Sequence, residues 1–137
     1  MANDSLFVEV VSANARIWEG EALSVIARTT EGDIGIMPRH EPFLAALVPC
    51  AAEVLTADGQ REIIALDGGF ISVSDNRVSL LAQYAKVAHE ILIDEAEKEL
   101  AVAERNLNHG DNDLETMQHY NRASAQVKAA RKAAERG

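Results

Sequence analysis

The hydrophobic period of this chain changes once, near Tyr84, and that switch constrains the fold more than any other feature of the sequence. Before it, FVEVVSA, ALSVIART, AEVLTAD, REIIAL, FISVS and RVSLLAQ are short alternating or continuous β-prone segments, which read as strands. After it, Ile93, Ala96, Leu100, Ala103 and Leu107 are spaced by three and four, which places them on one stripe of a helix.

Turn chemistry organises the first half. Asp58-Gly59 and Asp75-Asn76 fall between strand segments and are hairpin signals, the first because glycine takes positive φ without a Cβ clash. Short strands at close spacing predict an antiparallel β-sandwich or flattened barrel, with about eight to ten strands at the usual length. Gly68-Gly69 reads as a tight bend or bulge where backbone meets backbone, not as a phosphate cradle.

The second half reads as an antiparallel helical hairpin. Asp94 with Glu97 three residues on has the form of a capping box, so Asp94 is expected as an N-cap and the helix as starting near it. Gly110 suits the left-handed position after a helix, and Asn112 with Glu115 repeats the box for a second helix. That helix is expected to bury Tyr120, Ala123, Val127, Ala130 and Ala134, flanked by Met117. Such a methyl-lined face covers little area at about 25 cal/mol per Å², so its docking is expected to be marginal. The domain division expected is a sandwich over 1–86 and a hairpin over 87–137.

Composition excludes several functions. With one Trp, two Tyr and three Phe among 137 residues, the core must be aliphatic, and 47% apolar residues suffice to build it. A formal net charge of −9 argues against a nucleic-acid partner, whose phosphates need Lys and Arg. A single cysteine, Cys50, makes no internal disulfide and is expected as a small hydrophobe at a strand end. The N-terminus lacks a signal-peptide pattern and no apolar run reaches the roughly 18 residues of a membrane span. The charge of the hairpin is polarised: Asp94, Glu95, Glu97, Glu99 and Glu104 dominate its first helix, and Arg122, Lys128, Arg131, Lys132 and Arg136 its second.

No catalytic or cofactor motif emerges. There is no nucleotide loop and no GxSxG elbow, and His40, His89, His109 and His119 are scattered without metal-ligand spacing. Neither a cofactor nor a metal is expected, and the chain reads as noncatalytic. Glu31, Asp33 and Glu41 read as solvated carboxylates. The stretch EGDIGIMPRHEPF, residues 31–43, reads as too irregular for a strand and too broken for a helix. Its prolines stiffen it, and Ile34, Ile36 and Met37 are too apolar for water, so it is expected to be a contact surface.

These residues resemble a known family. EGDIGIMPRHEPFLAAL resembles the G-[DE]-x-G-I-x-P-x-H-x-P signature of the bacterial F-type ATP synthase epsilon subunit, and LDGGFISVSDNRVSLLAQYA resembles its second signature. With Arg-Thr-Thr before the first signature, the chain looks most like the actinobacterial branch. The resemblance spans nearly the whole chain. It implies a noncatalytic subunit of the central stalk, peripheral on the cytoplasmic face of the cell membrane. In that family the sandwich binds the gamma subunit and rests on the c-ring, and by motif position Asp33 and His40 would lie at that contact, with Arg39 and Glu41 beside them. The resemblance further implies a movable hairpin that inhibits ATP hydrolysis when its basic helix reaches the alpha/beta hexamer. Arg122, Lys128, Arg131, Lys132 and Arg136 match that helix in character.

One departure bears on ligands. Some members bind ATP through an [IL]-D-x-x-R-A stretch, where this chain has Ile93-Asp94-Glu95-Ala96-Glu97-Lys98. Asp94 matches, but Glu97 stands in the arginine position and repels phosphate, so weak or absent nucleotide binding is expected. The competing readings of the residues are a stand-alone β-sandwich adaptor and a small-molecule-binding module; the latter predicts a deep polar pocket, the stalk subunit a filled interior and a flat apolar face.

Overall fold

The computed structural model describes residues 5–110 and 113–135. The expected architecture is present: nine strands in one hydrogen-bonded sheet folded into two layers, followed by two helices. The strands are β1 (Leu6–Val11), β2 (Arg16–Thr29), β3 (Gly32–Ile36), β4 (Phe43–Leu47) and β5 (Cys50–Thr56). They continue with β6 (Arg61–Leu66), β7 (Gly69–Ser74), β8 (Arg77–Leu81) and β9 (Ala85–Val87). One layer runs β2–β1–β8–β7–β4 and the other β3–β2–β5–β6–β9.

Strand β2 belongs to both layers. Its 14 residues span roughly 45 Å at the usual rise, too long for one small layer. Its first half pairs with β1 and its second with β3 and β5, with a register irregularity between Ala22 and Ser24. The sequence pattern shows only its second half as strand, because Glu19, Gly20 and Glu21 interrupt the apolar alternation of the first.

Two sequence expectations are corrected here. Residues 31–43 are not irregular throughout: Gly32–Ile36 is β3, antiparallel to β2 from Thr29↔Gly32 to Val25↔Ile36. Gly32, at φ 118°, opens that hairpin, and the partner's hydrogen bonds overcome the low strand propensity of a Gly-rich segment. The pairing is also not wholly antiparallel. β1 lies parallel to β8, from Phe7↔Arg77 to Val11↔Leu81, and separates β8 from β2.

The core between the layers is aliphatic. Leu6, Val8, Val10, Val25, Ile36, Val54, Ile64, Leu66, Ile71, Val73, Val78 and Leu80 are all buried in it. Both expected hairpin turns form. Asp75 and Asn76 have φ 52° and 60°, the left-handed pair of a two-residue turn, and Gly59 has φ 89°. Strand β6 is buried on both faces: Ile64 and Leu66 point into the sandwich, whereas Ile63 and Ala65 form a second cluster with Ala88, Ala125 and Ala129. An unbroken apolar run such as IIAL is what a doubly covered strand requires.

A short 3-10 turn at Ala88–Glu90 leads into helix α1 (Ile93–Asn108), followed by α2 (Leu114–Ala134). The start of α1 is as expected but its cap is not. Leu92 occupies the N-cap with no side-chain hydrogen bond, and Asp94 lies inside the first turn, where its charge favours the helix dipole without closing a cap. Gly110, at φ 86°, takes the expected left-handed position after the C-cap His109. Asn112 lies outside the described residues; the N-cap of α2 is Asp113, whose Oδ1 accepts from the Thr116 N–H at 2.9 Å.

Helix α2 is the middle layer of the C-terminal half. It packs on β5 and β6, and α1 packs on α2. Ala123, Val127 and Ala130 are buried as the period predicts, but Ala125 and Ala129, about half a turn round the helix, are buried against the sheet. Ala134, expected on the stripe, is exposed at the helix end, and Tyr120 is only half-buried.

Candidate functional site

The turn chemistry of residues 37–42 builds one compact loop. With β3 and β4 in strands, the irregular stretch shrinks to Met37–Pro42, which leaves the sandwich at the end opposite the β2–β3 turn. The Arg39 backbone takes φ 71°, and its N–H donates to Asn76 Oδ1 at 2.5 Å, tying the loop to the β7–β8 turn. The Phe7 N–H donates to the Asn76 carbonyl at 2.8 Å. His40 Nδ1 lies 2.7 Å from the Glu41 carbonyl, which can only accept, so the ring carries a proton on Nδ1. Its edge meets Phe43 at 5.8 Å between centroids. Arg39, His40 and Glu41 thus line one shallow cleft with Pro42, Asp75 and Asn76. Ile36 is buried and Ile34 half-buried, so Met37, 62% exposed, is the apolar side chain that remains in water.

Asp33 is elsewhere. It sits one residue into β3 beside the β2–β3 turn, about 10 Å along the strand from the loop. Its carboxylate pairs with Arg28 Nε at 2.9 Å, and that guanidinium holds it below the usual carboxylate range. Of the two residues suggested by motif position, His40 lies in this loop with its neighbours Arg39 and Glu41, and Asp33 is separated from it.

A flat apolar face was expected, but the residues that form one escaped the sequence reading. Phe70 on β7 pairs with Leu81 on β8 and Ala46 on β4, and Leu44 follows two residues before Ala46 on the same face. Leu44, Phe70 and Leu81 are 71%, 54% and 42% exposed. They stand on the outer side of the first layer, bordered on β1 and β8 by Glu9, which accepts from Ser79 Oγ at 2.8 Å. A signal was present: in FISVS the alternate positions to Ile71 and Val73 are Phe70, Ser72 and Ser74, and a phenylalanine among serines is out of place on a solvated face.

The basic helix is engaged within the molecule. Lys128 Nζ donates to the Pro49 carbonyl at 3.2 Å and Lys132 Nζ to the Ala51 carbonyl at 3.4 Å, with Glu53 Oε1 at 3.6 Å. Arg131 pairs with Glu97 of α1 at 3.0 Å, and His119 with Glu99 at 2.7 Å. Arg122 is half-buried beside His119 in a shallow polar cleft between the helices, and Arg136 lies outside the described residues. Gln126 Nε2 donates to the Tyr84 hydroxyl at 2.5 Å, and burial pushes that phenol up. Cys50 is buried at the start of β5, as expected, and burial raises its thiol. Asp94 is exposed, and Glu97 beside it is the acceptor for Arg131. Among the described residues there is no cluster suited to a metal ion, and no helix is long and apolar enough to cross a membrane.

Two carboxylates beside or within the hairpin are held below their usual range. Arg61, hydrogen-bonded to Glu53 at 3.1 Å, and behind it Lys132 hold the Glu53 carboxyl below its usual range. The Thr116 side chain and N–H do the same for Asp113. Groups depressed on folding contribute fully above their unfolded values of about 4, and that contribution is lost as pH falls through the depressed values. Hairpin protection in hydrogen exchange is therefore expected to fall on acidification below about pH 4. Glu53→Gln should flatten part of that acid limb; an identical limb in the variant would contradict the assignment.

Comparison with known proteins fits this geometry. The family model described as ATP synthase, Delta/Epsilon chain, beta-sandwich domain matches residues 5–88. The ATP synthase epsilon chain of Cutibacterium acnes is 45% identical over 139 residues, covering 96% of this chain and 95% of its own. That of Streptomyces avermitilis is 50% identical over 95 residues, covering 69% and 77%, and that of Nocardia farcinica 41% over 124, covering 90% and 92%. In fold, a chain of the Euglena gracilis mitochondrial ATP synthase OSCP/F1/c-ring structure matches with a TM-score of 0.74 at 21% identity, over 96% of this chain and 82% of that one. A chain of the Tetrahymena thermophila mitochondrial ATP synthase central stalk/c-ring structure matches with a TM-score of 0.56 at 16% identity, over 93% and 95%. A sandwich matched along its whole length, in a chain that aligns with such relatives nearly from end to end, places it in the ATP synthase epsilon chain family.

Proposed function

We propose that the chain is the noncatalytic epsilon subunit in the central stalk of a proton-translocating F1Fo ATP synthase, where its sandwich joins the gamma subunit to the c-ring. The observation that carries this reading is the exposed apolar face of Leu44, Phe70 and Leu81 on a sandwich whose interior is filled by side chains. A packed interior leaves no room for a substrate, whereas an exposed apolar patch with a polar border is what docking to another subunit needs. Gamma covers that face, and the Arg39–Glu41 loop, held to the β7–β8 turn, reaches the c-ring. Attachment to the cytoplasmic face of the cell membrane is then indirect, through the complex.

The hairpin supplies regulation. In the docked arrangement Lys128 and Lys132 are bound to sandwich carbonyls and Arg131 to α1, so their charge reaches an acidic surface of the alpha/beta hexamer only after undocking. Docking by alanines makes that release inexpensive, and a partner with a differential affinity of a few kcal/mol suffices to drive it.

Pull-down with gamma tests the first half: Phe70→Asp is expected to weaken binding at least about tenfold, since a desolvated charge at the centre of an apolar contact costs more than about 1.4 kcal/mol. Gamma binding unaffected by the aspartate would rule this face out. Removing the residues from Asp94 onward should leave assembly intact and change ATP hydrolysis by the complex; unchanged hydrolysis would remove the regulatory half.

A further inference from the structure

The His40 N–H donates to the Met37 carbonyl at 3.1 Å, which closes Met37, Pro38, Arg39 and His40 as a four-residue turn. Pro38 at its second position has a negative φ set by the ring, and Arg39 at its third takes φ 71°, so the turn is of type II. Glycine is the usual residue there, because a Cβ is disfavoured at positive φ. Arg39 thus holds a conformation that its own preferences oppose, and such strain persists only where the surrounding structure imposes it. The restraint comes from Asn76, whose Oδ1 accepts the Arg39 N–H at 2.5 Å. We propose that Asn76, on the β7–β8 turn, is the positioning residue that sets the Arg39–Glu41 loop for its contact with the c-ring. The contact itself rests on the stalk-subunit reading; the part played by Asn76 is the new element.

Asn76 is the fixed end of this pair. The strands that flank its turn are paired from Ser74↔Arg77 to Phe70↔Leu81, and its own carbonyl accepts the Phe7 N–H at 2.8 Å, fastening it to the start of β1. Met37–Pro42 lies between the end of β3 and the start of β4, outside both strands. Asn76 also occupies a position that favours glycine: with Asp75 at φ 52° and Asn76 at 60°, an Asp-Gly pair would close the same two-residue hairpin. What asparagine adds over glycine is a side-chain amide, and that amide reaches the strained residue of the other turn. His40 and Glu41 follow Arg39 directly, with His40 Nδ1 2.7 Å from the Glu41 carbonyl, so a shift at Arg39 carries both with it. Asp75 lines the same shallow cleft as these three, which brings the β7–β8 turn into the surface that the loop presents.

Two substitutions separate the side chain from the turn. Asn76→Gly removes the acceptor and keeps a residue that accepts positive φ, whereas Asn76→Asp keeps an acceptor oxygen. In the intact chain, hydrogen exchange followed by NMR should show the Arg39 amide losing protection about tenfold in Asn76→Gly, the loss of one hydrogen bond, and keeping it in Asn76→Asp. The amides of β7 and β8 should be unchanged in both. With cognate gamma bound, Asn76→Gly should bind purified c-rings about tenfold more weakly, and Asn76→Asp should bind more like the unaltered chain, with equal gamma affinity in all three. Unchanged Arg39 protection in Asn76→Gly would overturn the proposal. So would lost protection with undiminished ring binding, or an aspartate variant that binds as weakly as the glycine one. An unaltered chain that binds gamma but no c-ring would overturn it from the other side, by removing the contact on which it rests.

Discussion

Gly69→Ala is expected to lower the stability of the sandwich by at least about 3 kcal/mol, which for a domain of this size corresponds to a fall in Tm of roughly 12 °C or more. Gly69 opens β7 at φ 107°, a conformation that L side chains rarely adopt. Strain of that kind alone costs about 1 to 3 kcal/mol. Sterics add to it, because a Cβ at this position would stand 1.8 Å from the Leu81 carbonyl oxygen and 2.9 Å from Ala82 Cα. Both are backbone atoms, so no rotamer change makes room. The end of β8 must move, and with it the Phe70↔Leu81 and Val11↔Leu81 pairings and the Ala82 N–H to Val11 carbonyl bond at 3.0 Å. Gly59→Ala is the matched control: its φ is 89°, but its Cβ meets nothing within 4 Å, and a loss of only about 1 to 2 kcal/mol is expected. Thermal unfolding followed by circular dichroism and by Trp18, which packs against the core, measures both. Equal losses in the two variants would mean that backbone crowding at Gly69 is not the cause.

Ala129→Glu is expected to release the hairpin while leaving the sandwich folded. Ala129 is fully buried against Ile63 and Ala65, and a carboxylate there would be desolvated in an apolar contact at a cost of several kcal/mol. The alternative open to the chain is to lift α2 away. That exposes mainly alanine surface, at about 25 cal/mol per Å², so undocking is the smaller loss. The expected result is rapid proteolysis and loss of hydrogen-exchange protection across α1 and α2, with the Trp18 signal of the sandwich little changed. A hairpin that stays protected would show that docking is stronger than its alanine interface implies. Collapse of the whole chain would show that β6 depends on α2 to stay in the sheet.

Comparing elements shows which features were legible in the sequence. The turns at Asp58-Gly59 and Asp75-Asn76, the stop at Gly110 and the backbone crowding at Gly68-Gly69 were readable, because each is set by φ preferences of one or two residues. β3 was not, since its strand state comes from hydrogen bonds to β2 and not from its own Gly-rich composition. The cap of α1 was misread because Asp94 and Glu97 have the right spacing for a box, while the helix starts two residues too early to use it. For α2 the period located one buried stripe; the second, Ala125 and Ala129, stays hidden because alanine is common on exposed helix faces too. Among the candidate site residues, the closeness of Arg39, His40 and Glu41 followed from their adjacency in sequence, whereas the partnership of Asp33 with Arg28 and the outward Phe70–Leu81 pair required cross-strand register.

The sequence by itself determined the order of elements, a strand-built sandwich and then a helical pair, together with an aliphatic core and an acidic surface, because periodicity and turn preference act over windows of a few residues. Only the tertiary structure decided the parallel docking of β1 on β8, the sharing of β2 between layers, and the burial of α2 on two sides. It also decided that Lys128 and Lys132 face the carbonyls of Pro49 and Ala51 across some 80 positions of chain. The physical reason is common to all of these: they are contacts between segments far apart in sequence, chosen by which surfaces can be buried together, and no local pattern carries that information.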